Sequence, residues 1–135
     1  MRVLLIPNLA RENVLESTVL VIDRLNEYGI EVLMDGGYES HFPSRRIIFL
    51  PFADAITACD VLIAVGGDGT ILQSAQHAVA YNKPLLGING GRRGFMAGLE
   101  MGELELLKNL RDGTYSEEKR MMLDCICLLY TSRCV

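Results

Sequence analysis

The segment from Arg2 to Ile6 carries a continuous apolar run that stops at Pro7, the pattern of a short strand buried on both faces of a parallel sheet. Between Arg11 and Tyr28 the apolar positions Val14, Leu15, Val19, Val21, Ile22 and Leu25 recur at roughly helical spacing, and Gly29 stands where a helix ends. A second apolar run, Ile30 to Met34, closes on Asp35, Gly36 and Gly37. Strand, helix and strand in this order predict a right-handed parallel unit. From Tyr38 to Pro51 the pattern weakens, and the run Ile47 to Leu50 fits a strand or a loop. Asp60 to Val65 reads as another buried strand, followed by Gly66-Gly67-Asp68-Gly69-Thr70 and a helix from Ile71 to about Tyr81, which Asn82 and Pro84 end. Pro84 to Asn89 reads as a further strand, Gly90, Gly91 and Gly94 open a flexible turn, and Leu104, Leu107 and Leu110 mark a last helix ending near Gly113. The predicted fold class is α/β, a parallel Rossmann-like layered sheet flanked by helices.

Beyond Gly113 the pattern changes to extended chain, with Met121, Leu123 and Cys125 alternating against other neighbours. Residues 1–113 are therefore expected to form one domain and residues 114–126 to start a second. A lone strand from Met121 onward would lack a partner and pair poorly. The last nine residues, 127–135, read CLLYTSRCV and do not continue the pattern. They resemble the translation of an adapter end used in sequencing libraries, and are taken as a non-native tail.

With 135 residues, half of them hydrophobic, the chain suffices for one core of ordinary size. Asp and Glu number 17 against 13 Lys and Arg, so no broad basic surface is available for nucleic acid. Any phosphate must be held by local backbone geometry and a few cations. The amino-terminal segment supports neither a secretory signal nor a membrane span, which makes the cytoplasm the expected compartment. Three of the four cysteines, Cys125, Cys127 and Cys134, crowd the end and no CxxC pair occurs, so reduced thiols are expected rather than zinc ligands. His41, His77 and the basic pair Arg45 and Arg46 read as ordinary surface or core positions, and no metal ligands are assigned.

The chemistry concentrates at GGDGT, at the carboxyl end of a buried strand and just before a helix, where open α/β sheets bind ligands. Gly66, Gly67 and Gly69 let the backbone turn tightly and bring N–H groups to phosphate oxygens, and Thr70 can cap the helix. A phosphate cradle needs no carboxylate, so Asp68 must bind a hydroxyl or a metal, or accept a proton. A turn in which Asp68 merely bonds nearby N–H groups is the bland alternative. Neither GxxxxGK[ST] nor GxGxxG is present around it.

GGDGT resembles the signature shared by NAD kinases, diacylglycerol and sphingosine kinases and, with Ser for Thr, phosphofructokinases. The following LLGINGGRRGFMAGLE, Leu85 to Glu100, resembles the NAD kinase loop Asn-x-Gly-x-Leu-Gly-Phe-Leu, carried by Asn89, Gly91, Gly94, Phe95 and Met96. Arg93 departs from that pattern, standing where leucine is usual. The segment EEKRMML, Glu117 to Leu123, is similar to the family's entry into a β-rich second domain. The resemblance implies transfer of a phosphoryl group from ATP or polyphosphate, with a divalent ion such as magnesium, to the adenosine ribose 2′-hydroxyl of NAD, forming NADP. It implies Asp68 as the group that orients the hydroxyl and accepts its proton, Gly66, Gly67, Gly69 and Thr70 at the phosphates, and Asn89 and Phe95 at the dinucleotide. Small nucleotides are the implied partners, a homo-oligomer the implied assembly, and nucleic acid and membrane are excluded. The family's second domain adds an Asn-Glu pair that no residue after Glu117 supplies, so the chain alone is expected to be inactive. A lipid or sugar kinase of the same superfamily, or a non-catalytic nucleotide-binding domain, is the alternative.

Overall fold

In the computed structural model, which describes residues 1–43, 46–90, 98–120 and 123–128, the apolar runs form strands of one sheet. Strands β1 (Arg2–Pro7), β2 (Glu31–Asp35), β3 (Ile48–Leu50), β4 (Val61–Gly66) and β5 (Leu85–Asn89) lie parallel in the order β3-β2-β1-β4-β5. Period-2 alternation sorts their side chains between two cores. One face collects Val3, Leu5, Val32, Met34, Ile63, Val65, Leu86 and Ile88 beneath helix α1 (Val14–Glu27), which contributes Val14, Val21, Ile22 and Leu25. The other collects Leu4, Leu33, Leu62, Ala64 and Leu85 against helices α2 (Phe52–Ala58) and α3 (Asp68–Ala80), through Ala55, Ile56, Ile71, Ala75 and Ala78. Burial on both faces is why these strands read as continuous rather than alternating runs.

The uncertain run at Ile47 to Leu50 is thus a strand, pairing Leu33 with Ile48 and Asp35 with Leu50. Before it, Gly36–His41 makes a 3-10 turn that the Asp35 carboxylate caps by accepting from Gly37 N at 3.3 Å. Helix α2 was not predicted; it has only two buried positions, too few to leave a periodic signature. The first helix starts at Val14 rather than near Arg11, because Asn8 to Asn13 is occupied by turns: Arg11 N donates to Asn8 O at 3.1 Å, and Asn13 takes a left-handed φ of 68°. The last predicted helix opens instead as a 3-10 segment, Met101–Leu107, and passes into helix α4 (Lys108–Asp112), which Gly113 ends at a φ of 74°.

A short strand β6 (Leu99–Glu100) pairs in parallel with the carboxyl end of β5. The chain after Gly113 does not hang free. Strands β7 (Ser116–Arg120) and β8 (Leu123–Cys127) form an antiparallel pair from Ser116↔Cys127 to Arg120↔Leu123, and β8 joins the main sheet at Leu85↔Cys125. The expectation of a poorly paired final strand is therefore not met for Leu123–Cys127. Ile126, Cys127 and Leu128 are buried, and Asn109 Nδ2 donates to Leu128 O at 3.0 Å, so the first two positions assigned to a tail pack with the fold. Residues 129–135 and the expected strand start at Met121 lie outside the described residues. Among the described residues no helix is long and apolar enough to cross a membrane.

Candidate functional site

The sheet order reverses direction between β1 and β4, and the chain leaves both strands, and β5, at the same carboxyl edge. A crevice outside that edge is the usual ligand position in open α/β sheets. GGDGT occupies it. Gly66 is the last residue of β4, Gly67 is the amino-terminal cap of α3 in extended conformation, and Asp68 is already in the helix. The helix begins at Asp68 rather than Ile71, so Thr70 is not its cap; the cap position is Gly67, which has no side chain to bond the first turn. Gly67 O accepts from Ile71 N at 3.1 Å as the first bond of the helix, so the N–H groups of its first turn have no acceptor within the helix. Asp68 in the first turn is also where a helix favours negative charge.

Two glycines of the motif are fixed by protein neighbours. A Cβ on Gly66 would stand 2.7 Å from Thr70 Oγ1, so Thr70 folds back over the end of β4. A Cβ on Gly67 would run into Nη1 of Arg11, whose guanidinium lies across that α-carbon. Gly69 is exposed and open, with nothing near its Cβ direction.

Asn89 is almost fully buried, opposite Gly66 in the β4–β5 register. The next residue, Gly90, donates its N–H to Gly66 O at 3.1 Å, while its own carbonyl accepts from Ser17 Oγ of α1 at 3.1 Å. Its Cβ would meet Val65 Cγ1 at 2.9 Å, so only glycine permits this approach of β5 to β4. The loop after β1 is tied to the same frame: Asn8 N donates to Val65 O at 3.0 Å, and the Tyr38 hydroxyl donates to Pro7 O at 3.3 Å. Burial, and then the nearby Asp35 carboxylate, pushes the Tyr38 hydroxyl above its ordinary value, which keeps it a donor.

The structure thus brings together Gly66, Gly67, Asp68, Gly69, Thr70 and Asn89. Phe95, with Gly91, Arg93, Gly94 and Met96 of the second motif and Arg45, lies outside the described residues. Arg46 lines a cavity at the start of β2 with Gly29 and Glu31, at the opposite edge of the sheet. His77 stacks edge-on with Phe52 at 4.8 Å and links α2 to α3. Among the described residues no group of three His, Cys, Asp or Glu side chains converges to hold a metal. Arg11 is the site residue that sequence reasoning passed over. Its signal was available: a basic residue in the loop after the first strand, at the edge where the glycine motif was placed.

The family model described as the ATP-NAD kinase N-terminal domain matches residues 3–115. The NAD kinase of Coxiella burnetii is 35% identical over 113 residues, covering 84% of this chain and 38% of the relative. That of Natranaerobius thermophilus is 37% identical over 131 residues, covering 92% and 43%. The chain thus spans about two-fifths of the length of these curated relatives. Its fold is similar to that in the crystal structure of yeast NADH kinase complexed with NADH, with a TM-score of 0.74 at 20% identity, over 89% of this chain and 40% of that one.

Proposed function

The chain belongs to the NAD kinase family, and we propose from that premise that it forms the phosphate-handling part of an enzyme that phosphorylates the adenosine ribose 2′-hydroxyl of NAD. The donor is ATP or polyphosphate. The observation that carries this reading is the turn from Gly66 to Asp68, which sets a carboxylate in the first turn of a helix at the switch point of the sheet.

The donor's terminal phosphate sits against the amino terminus of α3, where backbone N–H groups and the helix dipole favour its charge. Asp68 orients the 2′-hydroxyl and takes its proton as the oxygen attacks phosphorus. A P–O bond forms to the ribose oxygen, and the bond to the leaving phosphate breaks, giving NADP and ADP or a shortened polyphosphate. Asn89 and Phe95 contact the dinucleotide. A divalent ion, when bound with the donor, neutralises phosphate charge. Among the described residues no three His, Cys, Asp or Glu side chains converge to hold it. In this reading residues 1–113 are the nucleotide-binding domain and 114–126 approach a β-rich second domain that completes the NAD site. The whole enzyme works in the cytoplasm as a homo-oligomer.

The test joins this chain to the portion of the Natranaerobius thermophilus relative that follows the matched region, and measures NADP formation at saturating NAD and ATP. The chain alone is expected to form none. Asp68→Asn in the joined protein should lower turnover by on the order of a hundredfold to ten-thousandfold with an unchanged melting curve, since the amide keeps the shape but cannot accept the proton. A near-normal rate in the Asn variant removes Asp68 from the mechanism.

A further inference from the structure

The Arg11 guanidinium lies directly against the backbone of the glycine motif, across the α-carbon of Gly67. Five other described basic groups are engaged. Arg2, Arg24, Arg111 and Lys119 pair with carboxylates, and Lys83 Nζ donates to the carbonyls of Thr57 and Cys59. Among the described residues Arg11 forms no ion pair, and its side chain is half-buried rather than extended into water. Its backbone is also fixed: Arg11 N donates to Asn8 O at 3.1 Å, Arg11 O accepts from Val14 N at 3.4 Å, and Asn8 is anchored on Val65 O.

We propose that Arg11 is the phosphate-binding cation of this site, its guanidinium meeting the oxygens of the polyphosphate group that the start of α3 receives. The proposal rests on the reading of GGDGT as a phosphate site given above. Three points support it. A planar guanidinium offers a fork of donors that matches two phosphate oxygens at once. A chain with net negative charge needs a local cation wherever it gathers several phosphates beside a carboxylate such as Asp68. Gly67 gives the arginine its place, because any larger residue would occupy the space that the guanidinium fills.

The test uses the 135-residue chain and two probes, ATP and inorganic tripolyphosphate, titrated by calorimetry, with a melting curve for each variant. Arg11→Gln should weaken both probes by on the order of ten- to a hundredfold at an unchanged melting temperature. Arg11→Lys, which keeps the charge and loses the fork, should fall between, and Arg111→Gln should match wild type. Gly67→Ala supplies an independent arm. Its methyl meets only the far end of a flexible side chain, so the fold survives while the guanidinium is displaced. It should weaken the probes in the wild-type background and have little further effect in Arg11→Gln.

If wild type binds neither probe, the phosphate-site reading fails and takes this proposal with it. If wild type binds and Arg11→Gln binds equally well, the reading stands and Arg11 is not its cation. A melting temperature that drops while affinity holds makes Arg11 a cover for the turn and overturns the proposal. Binding of both probes with loss in the variant shows that polyphosphate oxygens are recognised. Binding of ATP alone, with the same loss, places the recognised phosphates on a nucleotide.

Discussion

Gly66 shows how little room separates the glycine motif from failure. A methyl there would meet Thr70 Oγ1 at 2.7 Å and Thr70 Cβ at 2.9 Å, and that Cβ belongs to the helix and cannot swing away. Gly66→Ala is therefore expected to destabilise the fold by about 1 to 3 kcal/mol, the usual result of overpacking. Thr70→Gly in the same chain should recover part of the loss despite a helix cost of about 1 kcal/mol. Denaturant titration of the two variants beside wild type decides it, and a cost below about 0.5 kcal/mol for Gly66→Ala would mean that the turn yields. The motif's position and Asp68 were legible because strand, glycines and helix are adjacent in sequence. The motif was read as glycine for the sake of phosphate, whereas Gly66 answers to Thr70, Gly67 to Arg11 and Gly90 to Val65. Two of these partners come from elsewhere in the chain, and Arg11 reaches Gly67 only because β1 and β4 are neighbours in the sheet. No local pattern carries that pairing.

Among the elements, length and burial decided what could be read. β1, β2, β4 and β5 are apolar runs of five or six residues, and each was placed within a residue or so. β3 spans three residues and α2 seven, too short for either period to declare itself. The hairpin at the end was misjudged for another reason: its polar strand SEEKR carries no hydrophobic signal, yet it supplies the partner that β8 was thought to lack. Among the described residues β8 meets the main sheet at the bridge Leu85↔Cys125, and side-chain packing adds to its hold. Ile126 is buried in the same cluster as Leu107 and Leu110. Ile126→Ala should thus cost about 2 to 5 kcal/mol, as for a core position. If the hairpin were a loose appendage, the same change would register within about 0.5 kcal/mol, the range of surface substitutions. Chemical denaturation monitored by far-UV circular dichroism separates the two.

For the molecule as a whole, stability at high pH should follow the groups that folding holds protonated. Cys59 is buried at the end of α2, where its Sγ–H donates to Ile56 O at 3.3 Å and Lys83 caps the segment. Burial raises its pKa above the ordinary value of 9.0, with Asp60 adding to the rise and Lys83 opposing it. Tyr38 and Tyr115 are raised above 10.0 in the same way, by burial first and then by neighbouring carboxylates. Below about pH 9 both states keep these protons and stability does not depend on them. Above it the unfolded chain releases the thiol proton while the folded chain retains it, so the unfolded state binds fewer protons and stability falls as pH rises. The tyrosines extend the fall from about pH 10. Unfolding free energies from urea titrations between about pH 7 and 10.5 should therefore be flat at first and then decline. In Cys59→Ala the decline should start later, near the tyrosine range, on a baseline lowered by the lost side chain. An unchanged onset in that variant would mean that Cys59 does not resist ionisation in the fold. A rise in stability over this interval would contradict the burial of all three groups.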